Sequence, residues 1–129
     1  MQADPADMLC DALQAGYLEE NWPTAEAVLH VDDDWAATDS STRVLVADDT
    51  PTAPLLHKHF ADVLLRVTVI GVGRTHTRAV AAGCADWIAA PRRVAGMRVR
   101  NVSTLAEGRG RSTGNDLVFF TVPAIVRPI

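Results

Sequence analysis

Two histidines, His57 and His59, have the spacing in this chain that best suits a metal ion. At i and i+2 on a strand their imidazoles face the same way. A zinc site needs a third and a fourth ligand, and only the carboxylate pairs elsewhere in the chain could bring one through the fold. Asp32-Asp33-Asp34 lacks the spaced oxygens, central glycine and closing glutamate of a calcium loop and reads as a solvated turn. Asp48-Asp49 are neighbours, so their side chains splay apart instead of converging on one proton. Cys10 and Cys84 fall in the apolar stripes of two predicted helices; they are expected as reduced, buried thiols, which are poor nucleophiles. No G-x-S-x-G elbow occurs.

Two glycine-bearing stretches suggest phosphate and fail on detail. Gly71-Val72-Gly73 ends a predicted strand, but His76 stands where a dinucleotide fingerprint needs its third glycine. The stretch Glu107 to Asp116 (EGRGRSTGND) has no lysine after its last glycine, and a strand follows it where a Walker loop needs a helix. Its Arg109 and Arg111 are candidates for touching an anionic partner; the competing reading is a solvated hairpin tip. No catalytic, cofactor or metal residue is assigned, and an enzyme is not expected.

The elements around these residues follow from apolar periodicity. Val63 to Val72 alternates Val63, Leu65, Val67 and Val69 on one face with Leu64, Arg66, Thr68, Ile70 and Val72 on the other. This long strand is the centre of the chain. The helix after it carries Val80, Ala81, Cys84, Ala85 and Ile88 at helical spacing, with Thr75 as its expected N-cap and Pro91 ending it. Asp4-Pro5 opens a first helix with Leu9, Leu13 and Tyr17 on one face and Gly16 near its end. Weaker strands are expected over Ala25 to Val31, Arg43 to Ala47, and Met97 to Leu105, the last with a bulge where its apolar phase slips. Leu117 to Val126 closes the chain as a strand, and Pro123 there suggests an edge or a bulge. The order α-β-β-β-α-β-β gives an α+β fold: a single mixed or antiparallel sheet with two helices packed on one face.

At 129 residues, 48% hydrophobic and 22% charged, residues 1–129 are expected to form a single domain. A net charge of −4 argues against a surface built to neutralise nucleic-acid phosphates. The apolar runs are too short to span a membrane, and the acidic N-terminus lacks the basic-then-apolar pattern of a signal peptide.

From Met8 to Pro128 the chain resembles the tail-terminator proteins of long-tailed, non-contractile (siphovirus-type) bacteriophages, particularly those infecting actinobacteria. The resemblance rests on the short N-terminal helix, on RVLVADD with the proline loop behind it, on LRVTVIGVGRTHTRAVAAGCADWI, and on a closing strand ending in VRP. The acidic Asp32–Asp34 turn and the long Glu107–Asp116 connection depart from the family pattern. The resemblance implies a virion protein: a hexameric ring that caps the tail tube, stops polymerisation of the tube protein and meets the head-tail connector. DNA would pass through its lumen without specific binding. Subunit contacts are then expected along the long strand and second helix, at Arg66, Thr68, Arg74 and Arg78, with Arg109 and Arg111 reaching the tube or lumen. Two alternatives stand beside it. One is another neck or head-completion connector protein; the other is a small metal- or ligand-binding α+β domain using His57 and His59.

Overall fold

The computed structural model describes residues 4–49, 61–90, 97–99, 101–110 and 114–126. His57, His59, the proline loop and Arg111 lie outside the described residues. Period-two alternation builds the centre of the sheet. Strand β3 (Ala61–Gly71) pairs antiparallel with β6 (Asp116–Val126) over its full length, from Ala61 opposite Val126 to Gly71 opposite Asp116. On its other side β3 pairs antiparallel with β2 (Thr42–Asp48), which runs parallel to β1 (Ala25–Val28). Two short strands, β4 (Arg98–Val99) and β5 (Ala106–Arg109), both pair antiparallel with β6. The sheet is therefore one mixed sheet of six strands, in an α+β fold.

The register puts the apolar sets in line. Val67 lies opposite both Val46 and Phe120, and Val69 opposite both Val44 and Val118. All of these, with Leu65 and Val122, are at most 1% exposed. Each such side chain stabilises the fold by roughly 1.5–3 kcal/mol relative to an exposed one.

Two helical bodies cover that face. The first begins at α1 (Pro5–Leu13), where the Asp4 carboxylate accepts from the Ala6 amide at 3.1 Å and Pro5 occupies the first turn. It was expected to end near Gly16. Instead it passes through a π-helical turn (Gln14–Leu18) into α2 (Glu19–Asn21). The wider turn shifts the stripe by one residue. Leu18, five residues after Leu13, reaches the core, and Tyr17 is turned aside against the second body. That second body, α3 (Arg74–Ala89), buries Thr77, Val80, Ala81, Cys84 and Ile88. The two bodies meet through paired glycines. A methyl at Gly16 would lie 2.6 Å from the Trp87 ring, and one at Gly83 would overlap the Tyr17 phenol.

Three further expectations are corrected. The N-cap of α3 is Gly73, not Thr75. Gly73 takes φ +91°, which only glycine adopts freely, so the chain turns into the helix two residues earlier. The Thr77 hydroxyl then donates to the Gly73 carbonyl at 2.8 Å. Met97 to Leu105 is not one bulged strand: β4 stops after two residues and 101–105 has no regular structure. Regular pairing resumes within the Glu107–Asp116 connection, as β5, where Glu107 is also tied to Arg74 of α3. Finally, Pro123 sits in a strand paired on both sides. Thr121 turns its amide away from β3 to the Ser103 hydroxyl at 2.8 Å, so Pro123, two residues on, directs its missing N–H into the gap between β5 and β4. Proline fits there because no ladder bond is needed.

Candidate functional site

The six candidate contact residues do not form one site. Arg66 and Thr68 lie on the sheet face opposite the helices, the face built by the other phase of the same alternation. Arg74, Arg78 and Arg109 gather beyond the start of α3. Arg111 is outside the described residues.

On the helix-free face, Leu45, Leu64, Thr68, Ile70, Leu117 and Phe119 are each half-buried. Thr68 stands in register between Leu45 and Phe119. Arg66 crosses this surface with two attachments. Its Nε donates to Asp49 Oδ2 at 2.8 Å, and its guanidinium carbon lies 5.2 Å from the centre of the Phe119 ring. The β1–β2 connection covers only the Thr42 end: Arg43 stacks over Trp35 at 4.5 Å, and the Ala37 amide donates to Asn115 Oδ1 at 3.0 Å. Leu117 and Phe119 were not singled out from sequence, although they fall on the same alternation as Val118 and Phe120, displaced by one residue.

At the other cluster the arginines are already engaged. Arg74 makes two hydrogen bonds to Glu107, at 2.9 and 3.0 Å, and Arg78 approaches the same carboxylate at 3.4 Å. Hydrogen bonding to Arg74 holds the Glu107 carboxyl below its ordinary range, and the same contact raises Arg74. Arg109 reaches Asp116 at 3.7 Å. Asp116 also accepts from the Gly73 amide at 3.0 Å. The start of α3, where a phosphate would have sat, is thus occupied by the chain's own carboxylate. Glu107 and Asp116 organise this corner, and sequence reading placed both at the limits of a loop.

Among the described residues no group of three or more His, Cys, Asp or Glu converges to hold a metal. Burial pushes the Cys84 thiol up to about 12. Burial, then Asp11, Asp7 and Glu26, raise Cys10 to about 11. Neither thiol is set up as a nucleophile, which needs the opposite shift. The Asp32 carboxylate makes an exposed contact with His30 at 3.4 Å, and its carbonyl accepts from the Trp35 amide at 3.0 Å. No described helix is long and apolar enough to cross a membrane. What the described side chains offer is recognition: a broad half-apolar sheet face, and a corner of paired charges. No protein-family model matches the chain, and a search of curated proteins returns no match.

Proposed function

We propose that this chain is a tail-terminator-type subunit. Copies of it form a ring, hexameric on the resemblance, that caps a phage tail tube, halts addition of tube protein and joins the tube to the head-tail connector. The observation that carries this reading is the helix-free face of the sheet. Three strands present half-buried Leu45, Leu64, Ile70, Leu117 and Phe119 around the anchored Arg66. A mixed apolar face rimmed by charge is the composition of a surface that meets another protein. The remaining charges suit a structural part as well: Arg74 and Arg109 are paired within the chain to Glu107 and Asp116, and Arg78 shares Glu107 with Arg74. The net charge of −4 suits a lumen through which DNA slides without being held.

The test is negative-stain microscopy with mass determination of the purified protein, alone and with preformed tail tubes. Rings alone, or rings at tube ends with growth halted, are expected. Protein that never forms a ring and leaves tube growth unchanged would overturn the reading, as would turnover of a small molecule. Activity on filled heads instead of tubes would move the chain to the neck-connector alternative.

A further inference from the structure

Between α3 and the stretch that follows β4 lies a groove of about 630 Å³. Ala82, Ala85 and Ala89 form one wall, and Val99, Val102 and Leu105 form the other. It is open because β4 stops at Val99 and β5 starts at Ala106, while Ser103 alone ties the stretch between them to β6, through its amide and its hydroxyl. Asp86 is the one charged residue lining the groove, and it is exposed. Among the described residues no cation pairs with it. The two described arginines of the flanking elements serve elsewhere: Arg78 approaches Glu107, and Arg98 stands in register with Ile125 on the helix-free face of the sheet.

Such a groove fits a short segment that carries a cation beside aliphatic side chains. Its length is set by the helix: from Ala82 to Ala89 the axis rises about 10 Å, the span of three extended residues. Arg127-Pro128-Ile129 has that length and that chemistry. These three residues follow β6 and lie outside the described residues. A chain cannot lay them along its own groove. Val99, at the mouth, is opposite Ala124, and Val126 stands two residues, about 7 Å, past it. Three residues doubling back cover about 10 Å at most, which returns them to the mouth and not along the wall.

We infer, resting on the ring reading, that Arg127–Ile129 of one copy enters the α3 groove of the next, with Arg127 on Asp86 and Ile129 between the alanine wall and Val102 and Leu105. Three small side chains in line on α3 leave the width that an incoming aliphatic chain needs. Burial of Ile129 supplies affinity, and the Arg127–Asp86 pair fixes the direction in which the segment lies. Donor segment and acceptor groove are different surfaces, so each docked copy still offers one of each. Such a contact is heterologous, the kind that closes into rings. A nucleic acid does not suit this groove, whose one charge repels phosphate.

The experiment is sedimentation velocity on the full chain carrying Arg127→Glu, Asp86→Arg, or both. Each variant is first checked for cooperative urea unfolding; Arg127→Ala or Asp86→Ala replaces a reversal that fails the check. Each single reversal is expected to weaken self-association by about fivefold or more. The double variant is expected to recover most of that loss, because the two charges are exchanged across the contact. Ile129→Ser should weaken association about tenfold without changing its salt dependence. Single variants that assemble like the parent would overturn the docking and leave a ring built on another surface. A double variant as weak as the singles would also overturn it. So would an Arg127→Glu monomer whose unfolding midpoint falls and is restored by Asp86→Arg, since the segment would then lie in its own groove. A parent chain that stays monomeric at every concentration and on tail tubes would remove the ring reading itself, and the docking with it.

Discussion

The contact between the two helical bodies gives a prediction whose sign changes with background. Gly83 lies inside α3, where alanine would normally stabilise the helix by about 1 kcal/mol. Here the added methyl would sit 2.9 Å from Tyr17 Cζ and 3.4 Å from Cε2, with the hydroxyl oxygen nearer still. Carbon pairs prefer about 3.5–4.0 Å, so the phenol must swing away. It is not free to do so, because its oxygen accepts from Trp22 Nε1 at 3.1 Å. Overpacking of this kind costs about 1–3 kcal/mol, and the lost hydrogen bond about 0.5–1.5 kcal/mol. Subtracting the propensity gain, Gly83→Ala should destabilise by roughly 0.5–3.5 kcal/mol. In a Tyr17→Ala background the obstruction is gone, and the same substitution should stabilise by about 1 kcal/mol. Urea unfolding of the four proteins of this cycle measures the coupling, expected at roughly 1.5–4.5 kcal/mol. Gly83→Ala stabilising equally in both backgrounds would refute the packing argument.

Four other outcomes are expected. Ile88→Asp places a carboxylate with no partner at a fully buried site and should cost more than about 4 kcal/mol, seen as loss of cooperative unfolding. The two thiols should resist a disulfide reagent in native protein and both react in denaturant. Their folded pKa values, raised from 9.0 to about 11 and about 12, also mean that stability present below pH 9.0 is lost as pH rises through those values, and Cys84→Ala should flatten the upper part of that limb. Glu107 has the opposite sign: its lowered pKa gives stability that is present above the ordinary carboxylate range and lost as pH falls through the folded value, so Glu107→Gln should reduce the acid dependence in a stability–pH profile. Gln14→Leu frees the Ala27 amide at the sheet edge and should raise aggregation, measured by light scattering, while lowering stability by about 0.5–1.5 kcal/mol.

The sequence was most legible where one face of an element is wholly apolar. Val67 and Val69 could face only a core, and Val80, Cys84 and Ile88 could only turn inward together. What was illegible depends on partners distant in sequence. Gly73 caps α3 because Asp116, forty-three residues on, receives its amide. Strand β5 forms by pairing with β6, although its four residues have no strand-like composition, and its Glu107 is tied to α3. The π turn is hidden for another reason: Leu13 and Tyr17 satisfy a regular helix as well as Leu13 and Leu18 satisfy a widened one, and the sheet decides between them. The candidate arginines were legible as charge but not as pairs. Spacing cannot reveal that Arg74 and Arg78 share one carboxylate, or that Arg66 spans Asp49 and Phe119.

The sheet edges limit how copies of this chain can associate. Strand addition needs a run of outward N–H and C=O groups. At β1 the run is interrupted, since Ala27 gives its amide to Gln14 Oε1 at 2.8 Å. At the opposite edge β4 supplies two residues and β5 four, separated by 101–105, where Ser103 bonds sideways to Thr121. Among the described residues neither edge offers a partner strand a run of useful length. Any association of copies along these edges would therefore run through side chains. The proposed ring would need the selectivity that side chains supply, because backbone pairing of sheet edges sets no limit on the number of copies.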